Sequence, residues 1–309
     1  MSKIYKYFSH DKLDLVFRRN NYCGIKCSYP KDYNDPFELF LSIDPNIDPK
    51  LLAFYKDVVD DVPQCPTTCF SKSPTVTPMW AHYGGNQTGF VLEFDRDELK
   101  AWNENFILKN VVYQNKPNKD LEITLGHAAG TKKPRHSLFL QRAAFSGAYF
   151  TKSEQWNYEQ ECRLVVNDED IEIVEDSKIL FVPVETLSSI IVGPNFPAEQ
   201  LLKSQELDEK IGLEWYQLNV GKSVSIPFMK NKEKIPFVAS DDGITEPNNI
   251  CDNCEEPVDV NLECCLWCRI TENHEFEAAQ TNPFRLLEAY GELENYFAGT
   301  DKIAKKHLK

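Results

Sequence analysis

Two Cys-x-x-Cys pairs, Cys251 with Cys254 and Cys265 with Cys268, stand ten residues apart near the end of this 309-residue chain. No other feature limits local structure as tightly. Two such loops bring four thiolates within reach of one tetrahedral ion, and four protein ligands leave no open position. The spacing predicts one structural zinc ion (Zn2+) held by Cys251, Cys254, Cys265 and Cys268. Cys264 is adjacent and competes with Cys265 for its place, and His274 is an outside alternative. A module of this size cannot bury enough apolar surface to fold unaided, so the metal supplies its folding energy. Its task is to hold a partner, protein or nucleic acid. Any catalysis has to come from elsewhere in the chain.

The chain carries ten cysteines. They do not predict a disulfide scaffold in a chain this long whose opening lacks the apolar stretch of a signal peptide. Cys23, Cys27, Cys65, Cys69 and Cys162 read as packing residues. No segment approaches the ~20 apolar residues of a membrane span, so a cytoplasmic protein without a membrane partner is expected. Hydrophobic residues at 42% and aromatic residues at 12% supply a core and argue against global disorder. A formal charge of −14 repels a phosphate backbone and disfavours broad coating of nucleic acid.

Patterning divides the chain into a large domain at 1–220, a linker at 221–249 and a zinc-ribbon module at 250–309. Period-two alternation predicts strands at 4–8, 89–95, 106–114, 161–166, 171–174, 179–184, 187–195 and 213–220. Helical spacing predicts helices at 49–62, 136–150, 198–211 and 283–297. Residues 116–135 are polar, with Gly and Pro, and read as an insertion whose middle has helical character. The linker contains several prolines and one short candidate strand, Ile235-Pro-Phe-Val. Many strands with short helices and few long βαβ periods predict an α+β fold, with mixed or antiparallel sheets flanked by short helices.

Three clusters in the large domain carry chemistry. The first is Asn34-Asp35-Pro36-Phe37-Glu38, which also reads as a plain turn. The second runs from Cys69-Phe70-Ser71 through Trp80, His82 and Tyr83 to Gly89-Phe90-x-x-Glu93-Phe94. It reads either as a pocket lining or as core, with His82 a satisfied partner. The third is Trp156-Asn157-Tyr158-Glu159-Gln160-Glu161-Cys162-Arg163-Leu164. On a strand, Glu159, Glu161 and Arg163 share one face; the plain reading is a polar face on which Arg163 pairs with its neighbours.

Jointly, IYKY, NDPFE, CFS…MWxHY…GFxxEF and WxxExExRL resemble the bacterial domain-of-unknown-function 2971 family, and IIVGPN resembles the segment that closes that domain. The resemblance spans about residues 3–220 and excludes the cysteine module. The pattern in turn resembles the ADP-ribosyltransferase layout. There a polar NAD-contacting residue stands on the opening strand, a Ser or Tyr in the middle, and an ExE-type glutamate at the start of a late strand. The resemblance implies NAD as substrate, Glu161 as catalytic glutamate and Glu159 as its partner, with His82 and Tyr83 as further catalytic candidates. It implies NAD contacts from Tyr5, Lys6, Tyr7, Ser71, Trp80 and Arg163. Trp80 or Tyr83 would stack on nicotinamide, and Lys6 or Arg163 would bind pyrophosphate. It implies an NAD-consuming effector of the toxin–antitoxin or antiviral (anti-phage) defence kind, with an antitoxin as partner. The opening strand departs from the layout: Lys6 stands where an Arg or His belongs, and a lysine cannot copy an arginine fork. Two other readings stay open: a non-catalytic sensor that uses the zinc module to contact protein or nucleic acid, and a metal-dependent nuclease built on Asp35, Glu38, His82 and Glu161.

Overall fold

Alternating side chains sort most of the strands into one ten-stranded sheet with two distinct faces. The structure is a computed structural model that describes residues 2–33, 43–44, 46–60, 62, 64–240 and 242–307. Its strands are β1 (Lys3–Phe8), β2 (Tyr22–Cys27), β3 (Thr67–Ser71), β4 (Phe90–Asp95), β5 (Ile107–Asn110), β6 (Val112–Tyr113), β7 (Thr151–Lys152), β8 (Glu161–Val165), β9 (Ile171–Val174), β10 (Ser177–Pro183), β11 (Leu187–Val192), β12 (Glu214–Asn219), β13 (Phe228–Lys230), β14 (Pro236–Ser240) and β15 (Gly243–Thr245). The helices are α1 (Leu13–Val16), α2 (Pro49–Val59), α3 (Thr77–His82), α4 (Arg96–Trp102), α5 (Lys119–Thr131), α6 (Pro134–Phe150), α7 (Ala198–Ile211), α8 (Glu272–Thr281), α9 (Pro283–Ala289) and α10 (Leu293–His307). The large sheet runs β15-β14-β13-β12-β11-β4-β1-β3-β8-β5. Every neighbouring pair in it is antiparallel except β11–β12. A second sheet has the order β2-β10-β9, and β6 pairs with β7. The expected α+β class with a mostly antiparallel sheet is what forms. No described helix is long and apolar enough to cross a membrane.

One face of the large sheet presents Ile4, Leu92, Phe94, Cys162, Leu164 and Ile190 to the main core. The other presents Tyr5, Tyr7, Val91 and Ile191 to a second core with Met79, Trp80 and Met229. The period of two along each strand decides which residue faces which core. Strand β1 pairs with β4 along its whole length, from Lys3–Asp95 to Phe8–Phe90. Among the described residues it pairs with β3 at Tyr5–Ser71 alone. The two strands therefore separate on either side of that pair.

Several elements differ from the expectation. The polar stretch 116–135 differs least: its expected helical middle forms as α5, because Asn118 caps it and Leu121, Leu125 and Ala128 recur on one buried face. The strand expected at 106–114 is two strands, β5 and β6, between which the Val111 N–H donates to Glu161 O at 2.9 Å. The stretch 221–249, expected as a linker with one short strand, holds three. Met229 is fully buried and pairs with Leu218 and Phe237; three-to-five-residue strands between prolines are too short to announce a period.

The chain divides into a larger unit, Met1–Gly221 with Ile226–Glu246, and a smaller one, Lys222–Ser225 with Pro247–Lys309. In the smaller unit the single helix expected at 283–297 is two, α9 and α10. Gly291 takes a left-handed φ of 71° between them, as a glycine just past a helix end does. Helix α8 was not expected; the Thr271 side chain caps it by accepting the His274 N–H.

Candidate functional site

The separation of β1 from β3 opens into a cleft of about 690 Å³ in the larger unit. Lys6 reaches across it. Its Nζ donates to Thr68 Oγ1 (2.7 Å) and Cys69 O (2.9 Å) and lies 5.8 Å from the Phe70 ring centroid. Burial lowers the Lys6 pKa. Tyr5, Ser71 and Glu161 form one row across β1, β3 and β8, since Tyr5 pairs with Ser71 and Ser71 with Glu161. All three line the cleft.

Glu161 opens β8. The residue before it, Gln160, is left-handed (φ 47°) and ends the 3-10 turn Glu154–Glu159. That break means Glu159 and Glu161 do not stand two steps apart on one strand, as the sequence had implied. Lys152 brings them together instead: its Nζ is 2.6 Å from Glu159 Oε2 and 3.4 Å from Glu161 Oε2. The Trp156 ring centroid lies 4.9 Å from the same ammonium. Tyr83 Oη donates to Glu159 Oε1 at 2.8 Å. Arg163 forks onto Glu161, Nε to Oε1 at 3.2 Å and Nη2 to Oε2 at 3.0 Å, while its Nη1 donates to Tyr149 O. Tyr113 Oη accepts the Glu161 N–H at 2.7 Å. Both carboxylates and both cations are more than nine-tenths buried.

This arrangement suits buried charge, which persists when it is paired and hydrogen-bonded. Burial raises the Glu161 pKa, and Lys152 opposes the rise. Burial alone would lower Lys152, but Glu161 and Glu159 together lift it above the usual lysine range. Burial, then Glu159, push the Tyr83 hydroxyl above its ordinary value. A carboxylate accepts about four hydrogen bonds. On Glu161 the Arg163 fork and Lys152 take three, and the Cys69 thiol lies near enough that, after burial, the carboxylate helps hold its pKa up. Six cationic side chains against four carboxylates line the cleft, in a chain whose formal charge is −14.

Of the residues read from the sequence, Tyr5, Lys6, Tyr7, Ser71, Tyr83, Glu159, Glu161 and Arg163 line this one cleft. Trp80 does not. It is buried in the second core, donates from Nε1 to Pro74 O (2.7 Å) and packs edge-on against Tyr7. His82 is exposed at the end of α3 and is not part of the lining. Arg163 is committed to Glu161 and Tyr149 rather than standing open for pyrophosphate. Asn34, Asp35, Pro36, Phe37 and Glu38 lie outside the described residues. Lys152 and Cys69 were missed as site residues. Lys152 offered one hint, its place between an amphipathic helix and Trp156. Cys69 stood inside a quoted motif but reads like any packing cysteine.

In the smaller unit, the Sγ atoms of Cys251, Cys254, Cys265 and Cys268 all lie within 4.8 Å of one another. Cys254 Sγ and Cys265 Sγ are 3.8 Å apart. Four sulfurs placed ~2.3 Å from a tetrahedral zinc ion stand about 3.8 Å from each other, so this set fits that metal. Cys264 is outside the cluster; its sulfur accepts from Asn253 Nδ2. His274 is also outside, with Nδ1 accepting the Thr271 N–H. The Cys268 N–H donates to Cys265 Sγ (3.4 Å). Backbone N–H groups, that of Cys265 first, pull the Cys251 thiol down to about 6. The thiolate is the form that binds metal.

Residues 79–164 match a family described as "Protein of unknown function (DUF2971)". No curated protein and no solved structure matches the chain. The matched segment runs from α3 to β8 and includes Tyr83, Lys152, Glu159, Glu161 and Arg163. It leaves out Tyr5, Ser71 and the four cysteines.

Proposed function

We propose that the cleft binds NAD and that the larger unit is an ADP-ribosyltransferase-like enzyme. The observation that carries this reading is the row Tyr5–Ser71–Glu161 across three neighbouring strands of the cleft. It has the order of the transferase layout: an opening-strand polar residue, a serine, then a glutamate at the start of a late strand. Two further features support it. The cleft volume suits a ligand of dinucleotide size. An excess of cations in the lining of an acidic chain focuses the field for an anionic ligand.

The chemistry follows from the carboxylate. The bond between nicotinamide and ribose C1′ breaks, and its electron pair leaves with nicotinamide. An acceptor forms a new bond at C1′ and gives up a proton. The ribose gains oxocarbenium character on the way. A carboxylate that holds the ribose 2′-hydroxyl stabilises that state more than the ground state. Glu161 has this role, with Arg163 and Lys152 fixing its plane. The ribose hydroxyl takes the fourth acceptor position, beside the Cys69 thiol. Glu159, held by Tyr83 and Lys152, positions Lys152. An effector role in toxin–antitoxin or anti-phage systems extends the same reading.

One observation favours the sensor alternative: every oxygen of Glu159 and Glu161 already has a donor, which suits a site that binds without turnover. The nuclease reading has no such support. Asp35 and Glu38 are outside the described residues, and His82 is not in the cleft lining.

The test is nicotinamide release and label transfer from labelled NAD in cell extract, beside Glu161→Gln and Tyr83→Phe. We expect Glu161→Gln to lose activity by ~100-fold or more; because the change also takes a paired charge from Arg163 and Lys152, thermal unfolding and NAD binding of the folded variant are measured beside it. Calorimetric binding without nicotinamide release would select the sensor reading. Neither binding nor release would remove the proposal.

A further inference from the structure

We propose that helices α8–α10 are a docking surface for a positively charged, apolar-bearing segment of another protein. The inference is independent of the NAD reading, because every residue it uses lies in the smaller unit. Helices α8 and α9 bury no residue. They are ten and seven residues long, and isolated helices shorter than ~12–15 residues are marginal in water. Tertiary contact has to supply what propensity does not. The residues that would make it are displayed. Phe284, Tyr296 and Phe297 form a three-ring cluster with centroids 5.7–6.2 Å apart, and each ring is about half exposed. Phe276 on α8 and Tyr290 beyond α9 are more exposed still, Tyr290 at 80%. Scattered apolar side chains on a surface need no explanation, but a ring cluster on helices without a core marks an interaction site.

Charge identifies the occupant. Residues 271–307 contain six glutamates and one aspartate against one arginine and three lysines, and the lysines all fall in the last turns of α10, after the six glutamates that share 271–300 with the rings. Glu272, Glu275 and Glu277 lie on α8 beside Phe276, and Glu294 lies on α10 beside Tyr296. This rim repels nucleic acid and opposes the approach of a second acidic copy. It attracts a segment that places Lys or Arg around apolar anchors. Such complementarity speeds encounter and fixes orientation, while the desolvated rings carry the affinity.

The experiment uses the full zinc-loaded chain and a fluorescent leucine–lysine peptide that forms an amphipathic helix. Binding is read by anisotropy, and its location by hydrogen-exchange mass spectrometry. We expect protection confined to α8–α10. We expect affinity to fall ~10-fold in Phe284→Ser/Phe297→Ser, less in Glu275→Gln/Glu277→Gln, and steadily with added salt. The two glutamine substitutions sit on exposed side chains and keep the test valid if the serine pair unfolds the helices. Four results would overturn the proposal: protection mapping to the cleft, equal binding by a leucine–glutamate peptide, tighter binding of a single-stranded oligonucleotide, or self-association of the free chain that Phe284→Ser abolishes.

Discussion

The cleft and the cysteine-bearing unit treat charge and metal in opposite ways. In the cleft, Lys152, Glu159, Glu161 and Arg163 are dry, and each is held by a partner at a defined distance. In the smaller unit Glu272, Glu275, Glu277, Glu288 and Glu294 are exposed, and four sulfurs cluster closely enough to hold one metal ion. Ions inside a protein are stable only as a complete set, because removing one leaves its partner uncompensated. Ions on the surface contribute little singly and act through their summed field. One region should therefore fail on losing a side chain, and the other on losing its metal.

The largest effect expected is metal removal. Structural zinc in small modules carries apparent binding free energies of ~10–16 kcal/mol, which is folding energy for the module. A strong chelator, or Cys251→Ser, should abolish the helical circular dichroism of α8–α10 while the melting transition of the larger unit stays in place. A metal-free preparation with intact C-terminal helices would break the comparison at its root.

Next comes Lys152→Met, which leaves buried Glu159 without a cation and Glu161 with Arg163 alone. We expect a loss of ~3–5 kcal/mol by denaturant titration. Lys152→Met/Glu159→Gln should recover part of it, since the second change removes the stranded charge. Additive losses would mean that Lys152 and Glu159 do not act as a pair.

Lys152 also gives the larger unit a specific alkaline sensitivity. Its pKa is higher folded than unfolded, so the folded state holds the proton more tightly. The stabilisation is whole below the unfolded value, about 10.4, and is lost as pH rises through the higher folded value. Stability of the wild type should fall with a steeper slope above that pH than stability of Lys152→Met. Parallel slopes would show that Lys152 is not held by the two glutamates in solution.

The smallest effect concerns Cys69. Cys69→Ala removes the thiol beside Glu161 and should change stability by less than ~1 kcal/mol. It should tighten NAD binding a few-fold by removing a neighbour of the fourth acceptor position, and Cys69→Ser, with a stronger donor able to take that position, should weaken it. Identical affinities for all three would show that no ligand hydroxyl competes for that position.

Much of this was legible before any coordinates. The four clustered cysteines were readable because a Cys-x-x-Cys loop is a local object, complete within four residues. Only the choice between Cys264 and Cys265 needed the fold, and the sulfur positions resolve it, since the Cys265 sulfur lies within 4.8 Å of the other three. The joint face of Glu161 and Arg163 followed from the period of a strand. Glu159 escaped that logic, because Gln160 adopts a left-handed turn that no alternation rule anticipates. Trp80 and His82 read as pocket residues for the same reason that Tyr83 did. One helical turn presents them in three directions, and only packing shows which points into the cleft.

The sequence alone determined the strand and helix periods, the cysteine tetrad and the acidic balance, because each is set by neighbours a few residues away. Tertiary structure decided where β1 leaves β3, that Tyr5, Ser71 and Glu161 form one row, and that Lys152 closes the circuit between two glutamates. Those facts depend on register between strands far apart in the chain. They also depend on burial, which turns an ordinary surface-type lysine into the partner two carboxylates require.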